Sequence, residues 1–534
     1  MRTRPRPRPT HTLSLAPLLH LCPECGHTLW FAYDNHRTIT TLDGVVRLIL
    51  HVHRCVNPSC SRFHKPYRPE TETHFALPHH EFGLDVIALV GQLRYVEHRS
   101  SAEIYAELRR RGVVLAERTV TNLLDRYDEL RAVAYANPRR LRVLLRRQGR
   151  VVLAIDGLKP HVGHEVLWVL RDCLSGAVLL TRSLLSATIK DIAALIREVR
   201  DALAVPITAV VSDGEATIRK AVARTLPGIP HQLCHFHYLR EAAKPISEAD
   251  RHAKKELKKR VRGVRPIERT AQAEQNLQAE IVRGYCAAVR SALTDDKLPP
   301  LSASGLKLHA RLQMIVGSLE RMRKKVGRLP DALQKLRRLL DKGLNETDTL
   351  WPAVENAYRW VHRVARLLEN KKQLPAKKLR HGLSQILTKM RQVAQRTRDK
   401  ALQEQLRNFV KVTKSYWPGL FRCYESVDIP RTNNDLEHLF GSYRYHERRA
   451  SGRKTASAGM VVKGGAKIVS SLATRQHPDE GLALPEGYVA AWRRERGEME
   501  KRREARRQQW RFRHNPALYL QKMEELLLKL SLPS

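Results

Sequence analysis

The sequence lacks long apolar runs. No stretch of about 18 or more consecutive apolar residues occurs in its 534 residues, so the pattern predicts no transmembrane helix. Arginines near the N-terminus precede a short apolar stretch at 13–21, as in a signal peptide. Pro17 and His20 interrupt that stretch, and no small-residue cleavage site follows it. We therefore expect a cytoplasmic protein.

Acidic residues are scarce relative to basic ones. Asp and Glu together number 54 against 96 Lys and Arg, which leaves a formal net charge of +42. Such an excess opposes compaction unless a polyanion neutralises part of the surface, and nucleic acid is the usual one. The basic residues run through all segments instead of marking one amphipathic helix, which disfavours a membrane partner. A basic, solvated protein without a partner is the alternative.

Cysteines are few, and half of them form a pattern. The chain has 8 cysteines, of which Cys22 and Cys25 are separated by two residues and Cys55 and Cys60 by four. Between the pairs, residues 45–54 read as a strand preceded by a turn at Asp43-Gly44. Two thiolate pairs on a hairpin are typical of a zinc ribbon, with His64 as an alternative to Cys60. Four reduced cysteines without metal remain the other interpretation.

Helical spacing follows the cysteine-rich segment. Residues 84–96, 102–111 and about 116–130 read as helices, with Ser100 or Ser101 as N-cap of the second and Gly112 at its end. This order is typical of a helix-turn-helix, and an ordinary helical hairpin is the alternative. The third helix would contact base edges through residues near its N-terminus, namely Arg118, Thr119 and Asn122.

A basic linker at 138–150 precedes alternating strands and helices. Apolar runs predict strands at 151–155, 166–170, 177–185, 207–211 and 229–233, and helices at 189–203 and 215–226. The predicted order is βββαβαβ. Residues 246–425 then read as a helix-rich, basic insertion, for example at 271–293, 306–344 and 376–413. A further helix is predicted at 433–449, and residues 484–534 read as basic and helical.

Three acids form the candidate catalytic set. Asp156 and Asp213 each stand where an apolar run ends and a glycine follows. Functional groups gather at the carboxyl ends of strands in an open α/β sheet. Glu437 is the third candidate, because helical spacing places it on one face with Asn433, Gly441, Arg444 and Arg448. Carboxylates so placed suit two Mg²⁺ (or Mn²⁺) ions, which activate a nucleophile and stabilise a leaving oxygen at a phosphodiester.

Four short motifs resemble those of a known family. They are Val-Val-Leu-Ala-Ile-Asp156-Gly, Val-Val-Ser-Asp213-Gly-Glu, His231-Gln-Leu-Cys234-His-Phe-His237 and Thr432-Asn-Asn-Asp-Leu-Glu437. Together, in this order, they resemble the Mutator-like superfamily of D-D-E transposases, which includes bacterial insertion sequences. The resemblance covers about residues 151–240 and 428–455. It implies a ribonuclease H-like fold, a D-D-E triad of Asp156, Asp213 and Glu437, and a helical insertion before the glutamate.

The resemblance also marks Cys234 and His237 as a motif. Their side chains would support the active site by organising it, contacting DNA or helping to hold a metal, and a buried cysteine with a hydrogen-bonded histidine is the alternative. Arg444, Arg448, Arg449 and Arg453 lie on or after the glutamate helix. We expect them to contact phosphates, and a solvated basic face is the alternative.

The expected function is transposition of DNA. The protein would bind the terminal inverted repeats of its element, cleave DNA strands and join the freed 3′ ends to target DNA, as a nucleoid-associated homodimer or larger assembly on double-stranded DNA. Two alternatives stay open: an inactive, sequence-specific DNA-binding regulator derived from a transposase, and a nuclease or resolvase on the same fold.

The expected architecture is multidomain α/β. A ribonuclease H-like catalytic domain is split by a large all-α insertion and preceded by a zinc ribbon and a helix-turn-helix domain. The predicted boundaries are 1–70 for the N-terminal arm and zinc ribbon, 71–137 for the helix-turn-helix, 138–245 and 426–475 for the catalytic domain, 246–425 for the insertion, and 476–534 for a basic helical C-terminal region.

Overall fold

A computed structural model of the chain describes residues 8–135, 138–158, 165–185, 187–272, 276–294, 299–433, 441, 445, 448–450, 452, 458–476 and 482–531. The chain divides into two units, Met1–Pro206 with Asn434–Ser534 and Ile207–Asn433. Both helices and strands contribute to it, so the predicted mixed α/β class is confirmed. No helix in the described ranges combines the length and apolar character needed to cross a membrane.

A small sheet carries the cysteine-rich segment of the first unit. Its strands are β1 (His11–Leu15), β2 (Leu29–Thr41), β3 (Gly44–Cys55) and β4 (Pro66–Tyr67). β3 pairs parallel with β1 and antiparallel with β2 and β4. The predicted hairpin is confirmed, because Thr41 pairs with Gly44 across the Asp43-Gly44 turn. Leu48, Leu50 and Val52 alternate along β3 and are fully buried, as expected for one face of a pleated strand.

Four helices follow the small sheet; the last three lie where the sequence predicts helices, and the short first one was not predicted. They are α1 (Glu72–Phe75), α2 (Leu84–Tyr95), α3 (Ser101–Arg110) and α4 (Glu117–Tyr135). Ser100 caps α3: its hydroxyl accepts a hydrogen bond from the backbone N–H of Glu103, whose carboxylate accepts one from the N–H of Ser100. Gly112, at φ +81°, follows the helix end. Apolar residues at helical spacing, among them Ile87, Ile104 and Val120, form the shared core.

The predicted basic linker at 138–150 is wrong. Residues Pro138–Gln148 form a helix, α5. Leu145 is only 2% exposed, and the side-chain amide of Gln148 donates to the buried carboxylate of Asp172 at 2.9 Å. Leu145 and Gln148 lie on the same face of the helix. Their contacts stabilise a helix that the arginine-rich composition alone did not indicate.

Three antiparallel strands follow α5 in the first unit. They are β5 (Val151–Leu158), β6 (Val166–Asp172) and β7 (Val178–Leu184), with β6 between the other two. The expectation that Asp156 ends its strand is wrong, because β5 continues through Gly157 to Leu158. The reason is cross-strand pairing: Gly157 lies opposite Trp168 and Leu158 opposite Leu167.

The remaining alternation agrees with the predicted βββαβαβ order. It comprises α6 (Ile189–Ala202) in the first unit and β8 (Ile207–Ser212), α7 (Ala216–Thr225) and β9 (His231–Leu233) in the second. β8 and β9 pair in parallel, with Ser212 opposite Leu233. Asp213 therefore directly follows its strand, as predicted.

The rest of the second unit is helical. Its helices are α8 (His235–Ala242), α9 (Lys244–Arg260), α10 (Val264–Gln272), α11 (Leu277–Thr294), α12 (Ser304–Val326), α13 (Asp331–Thr347), α14 (Trp351–Glu369), α15 (Ala376–Arg396) and α16 (Lys400–Tyr416). Two apolar cores lie among them.

The stretches at 306–344 and 376–413 are helical as predicted, and each contains two helices. Gly327, at φ +76°, and Pro330 separate α12 from α13. Asp399 accepts a hydrogen bond from the N–H of Leu402 and thereby starts α16 as a new helix. The stretch at 271–293 likewise contains the end of α10, which includes Ala271, and most of α11, which begins at Leu277.

The C-terminal segment packs onto α4 within the first unit. Its helices are α17 (Ala458–Gln476), α18 (Tyr488–His514) and α19 (Pro516–Ser531). Trp492 donates its indole N–H to Glu129 at 2.7 Å, and Arg503 forms an ion pair with Asp125. These contacts provide partners for charges that α4 buries. The predicted helical character of residues 484–534 is confirmed.

Candidate functional site

The four predicted zinc ligands lie together. The Sγ atoms of Cys22, Cys25, Cys55 and Cys60 all lie within 4.8 Å of one another. Two separations are 3.8 Å (Cys22 to Cys60) and 3.6 Å (Cys25 to Cys55). A tetrahedron with Zn–S bonds of about 2.3 Å has edges of about 3.8 Å, so the cluster has the size that zinc requires. His64 is not a member of this cluster.

Local backbone geometry forms each cysteine pair into a turn. Gly26, at φ +71°, lets its N–H return to the carbonyl of Cys22 at 2.8 Å. The N–H of Arg62 donates to Sγ of Cys60 at 3.4 Å. A backbone hydrogen bond from His27 lowers the pKa of the Cys25 thiol to about 6. N–H groups directed at sulfur favour the thiolate form, which is the form that binds metal, whereas, against their own backbone hydrogen bonds, burial and the neighbouring thiols raise the pKa of Cys55 and of Cys60.

Asp213 occupies a turn at one end of a cleft in the second unit. Its Oδ1 accepts a hydrogen bond from the N–H of Glu215 at 3.0 Å. The cleft has a volume of about 770 Å³. The acids Asp213, Glu215, Glu241 and Glu248, the basic residues Arg219, Arg240, Lys244 and Arg251, and the side chains of His237 and Tyr416 all line it. The cleft therefore presents carboxylates suited to cations and basic groups suited to phosphates.

Tyr416 supports the Asp213 turn from α16. Its hydroxyl lies 3.0 Å from the carbonyl oxygen of Asp213 and 2.6 Å from Oε2 of Glu241. Burial, with the neighbouring Glu241 carboxylate, raises the pKa of the Tyr416 phenol, so the group is neutral and donates at neutral pH. Gly214 leaves room for this ring, since a Cβ at that position would lie 2.5 Å from Cε1 of Tyr416.

Replacing Gly214 by alanine is expected to destabilise the second unit by about 3 kcal/mol, because overpacking against Tyr416 adds to the strain of φ +89°. Gly228→Ala is the matched control. Gly228 has φ +79°, but a Cβ added there would meet no atom within 4 Å, so only about 1 kcal/mol is expected. Urea unfolding of the two variants measures the difference, and equal midpoints would contradict the close approach of Tyr416.

The Cys234 motif lies beside the Asp213 turn, as the parallel pairing of β8 and β9 predicts. Cys234 is fully buried, and its backbone N–H donates to the carbonyl of Ser212 at 2.8 Å. Its Sγ accepts a hydrogen bond from the N–H of Asn433 at 3.3 Å. His237 follows on α8 and lines the same cleft as Asp213. Cys234 thus joins the start of the fourth motif, Thr432–Glu437, to the edge of the cleft.

His235 is a structural residue that local sequence patterns do not indicate. Its Nε2 lies 2.7 Å from the carbonyl oxygen of Leu420, to which it donates. Burial, opposed by this hydrogen bond, lowers the pKa of His235 to about 4. The neutral ring therefore packs in the core next to Cys234. Its partner is 185 residues away in the sequence, so no short motif could reveal the contact.

Acidification is expected to destabilise the second unit through His235. Its folded-state pKa of about 4 lies below the ordinary value of 6.5, so the unfolded chain binds more protons between these values. Stability is therefore lost as pH falls from about 6.5 towards 4, and His235 contributes about 2 kcal/mol of the loss at pH 5. Urea unfolding at pH 7 and pH 5 should show a smaller decline in His235→Gln. The exposed His252→Gln is the control, and equal declines in both variants would contradict this role.

Asp156 lies in the first unit, where its side chain is 9% exposed. Its Oδ1 accepts a hydrogen bond from the N–H of Gly157 at 2.8 Å. Asp172, at the end of β6, is also an acid on a strand of this sheet. Its contacts differ from those of Asp156. Its carboxylate accepts hydrogen bonds from Val152, Ser175 and Gln148 and is fully buried. Asp172 therefore stabilises a turn, whereas Asp156 stays the candidate for metal binding.

Some of the predicted DNA-binding residues lie in the described part of the chain, and others do not. Arg118 and Asn122 are exposed and Thr119 half-buried near the N-terminus of α4, and Arg448 and Arg449 are exposed. Hydrogen bonds from Ser100 lower the pKa of Glu103, and the charge of Arg449 contributes. Arg449 therefore lies near the cap of α3 in the first unit. Glu437, Arg444 and Arg453, with most of the helix predicted at 433–449, lie outside the described residues.

One family model matches part of the chain. It is the model of transposases of the Mutator family, and the match spans residues 193–328, about a quarter of the sequence. The matched segment contains Asp213, Cys234 and His237, and it extends through the helices up to α12. It confirms the predicted resemblance to Mutator-like transposases. No curated protein matches the chain.

Proposed function

We propose that the protein is a DNA transposase that cleaves and joins DNA strands with Asp156, Asp213 and Glu437. The observation that carries this proposal is the Mutator-family match over the segment that contains Asp213. Asp213 lies at a strand end and opens into a cleft that contains both acidic and basic side chains. A phosphodiester and its metal ions need this combination of groups.

The donor set fits Mg²⁺ or Mn²⁺. Carboxylate oxygens are the ligands that these hard cations prefer, and Asp213 presents one at the rim of the cleft. Two such ions, when bound by Asp156, Asp213 and Glu437, would lower the pKa of the attacking hydroxyl and stabilise the leaving oxygen. Gly214 and Tyr416 hold the Asp213 turn, and Cys234 holds the chain four residues before Glu437 through its hydrogen bond with Asn433.

The basic residues of the cleft would position the DNA strand. Arg219 is oriented by a hydrogen bond to the carbonyl of Ser415 at 2.7 Å. Arg240, Lys244 and Arg251 follow along α8 and α9. Their charges would neutralise phosphates next to the reacting one, and His237 would donate or accept a hydrogen bond there.

Structural zinc would order the N-terminal part of the chain for DNA recognition. The four clustered thiols have the separations of a tetrahedral site. We propose that this sheet and the exposed N-terminal end of α4 bind the terminal inverted repeats of the element. Pairing two ends would require two copies of the chain on double-stranded DNA.

A supercoiled-plasmid assay tests the function. The plasmid carries the genomic DNA that flanks the gene, and the purified zinc-loaded chain is added with Mg²⁺ or Mn²⁺. We expect metal-dependent nicks at inverted repeats that leave 3′-hydroxyl ends, followed by joining to target DNA. Binding without any cleavage would favour the inactive regulator, and cleavage without joining would favour a nuclease.

A further inference from the structure

The α5 helix presents arginines on one face. At about 100° per residue, Arg139, Arg140, Arg142, Arg146 and Arg147 fall within about 160° of the helix circumference. Leu141, Leu145 and Gln148 lie on the opposite side. All five arginines are exposed. The face is therefore built by the helical fold and does not exist in an extended linker.

The orientation of this face is determined by the inward contacts of α5. Leu145 is 2% exposed, and Gln148 donates to Asp172, which is itself fully buried. Gly149, at φ +78°, accommodates the turn into β5, and its N–H donates to the carbonyl of Leu145 at 2.8 Å. The arginine face thus points away from the protein as a consequence of packing.

Three arginines of α5 have no acidic partner within the described residues. Residues 131–155 contain no Asp or Glu. In the part of the chain that the structure describes, Arg142, Arg146 and Arg147 take part in no ion pair. Such a concentration of like charge is costly unless a polyanion approaches it. Arg140 also stacks over the ring of Tyr135, at 5.3 Å from the centroid.

We propose that α5 is a phosphate-contacting element for duplex DNA, which goes beyond the predicted reader helix and catalytic residues. It rests on the proposed DNA transposase function. From Arg139 to Arg147 the helix spans about 12 Å, a length along which duplex DNA carries about seven negative charges. A membrane is disfavoured, since Leu145, on the side of α5 opposite the arginines, is buried in protein packing.

The position of α5 relates it to the predicted reader. It begins three residues after α4 ends, and α4 is about 27 Å long. Because α5 follows α4 directly in the chain, we infer that the arginine face contacts phosphates of the same duplex that the exposed end of α4 would contact. Contacts to phosphates carry no sequence information but set register and affinity.

The test replaces Arg142, Arg146 and Arg147 together by glutamine. The control replaces Lys372, Lys377 and Lys378, which are exposed in the second unit, and changes the net charge equally. Affinity of the full zinc-loaded chain for a labelled 30-base-pair duplex of mixed sequence is measured between about 50 and 200 mM salt. Binding at mixed sequence needs no knowledge of the element's ends.

We expect the arginine variant to bind about a hundredfold more weakly near 0.1 M salt, with a log–log salt slope smaller by about 2 to 3, because three phosphate contacts are lost. The lysine control should retain the wild-type affinity and the wild-type salt slope. An unchanged slope in the arginine variant would overturn the role of α5, and so would tighter binding to an RNA duplex of the same sequence. Failure of the wild-type chain to bind DNA would instead overturn the proposed function.

Discussion

Replacing Asp213 by asparagine is expected to lower the rate of strand cleavage by about a thousandfold or more. The amide keeps an oxygen that accepts the N–H of Glu215, so the turn is retained. It removes the negative charge that would hold a divalent ion. Loss of the ion's contribution, of several kcal/mol to the transition state, corresponds to this change in rate.

The matched control for Asp213 is Glu248→Gln. Glu248 lines the same cleft but lies on α9, away from the strand end. Its variant should cleave at nearly the wild-type rate, and both variants should bind duplex DNA with nearly unchanged affinity. Asp156→Asn and Glu437→Gln should resemble Asp213→Asn. Retained cleavage in any of these three would remove that residue from the proposed triad.

Replacing Cys22 by serine is expected to abolish zinc binding and to weaken DNA binding. Structural zinc contributes about 10 to 16 kcal/mol, which exceeds or equals the stability of most domains. We therefore expect the cysteine-bearing end of the β2–β3 hairpin to lose its arrangement when no ion can join Cys55 to the first cysteine pair. We expect the variant to lose one zinc per chain and at least about tenfold in duplex affinity.

The control for the zinc prediction is Cys173→Ser. Cys173 is half-buried and does not belong to the four-thiol cluster. Elemental analysis of both purified variants measures the zinc, and fluorescence anisotropy measures binding to the duplex. One zinc per chain in Cys22→Ser, or none in the wild type, would refute the site.

Local patterns predicted the features that short sequence segments determine. The turn at Asp43-Gly44 identified the start of β3, continuous apolar runs identified β5 and β8, and the serines at 100 and 101 identified the start of α3. The four cysteines also followed from spacing alone. Each of these features depends on neighbours within a few residues or on the chemistry of one residue type.

Contacts between distant segments explain what the sequence did not show. Asp156 lies within β5 because the strand continues opposite Trp168 and Leu167. Position 214 requires glycine because the ring of Tyr416, about 200 residues later in the sequence, packs where a side chain would lie. The charges that α4 buries find partners on α17 and α18 more than 340 residues away. The helical order of α5 depends on the hydrogen bond from Gln148 to Asp172, which lies in strand β6.

Iron-directed cleavage of the protein tests the central claim, that Asp156, Asp213 and Glu437 share divalent ions. Fe²⁺ replaces Mg²⁺, and hydroxyl radicals formed with ascorbate and peroxide cut the backbone near the bound metal. We expect fragments that end near all three residues, that diminish with excess Mg²⁺ and that disappear in Asp213→Asn. Cuts confined to one segment, or cuts that persist in Asp213→Asn, would contradict a shared metal site.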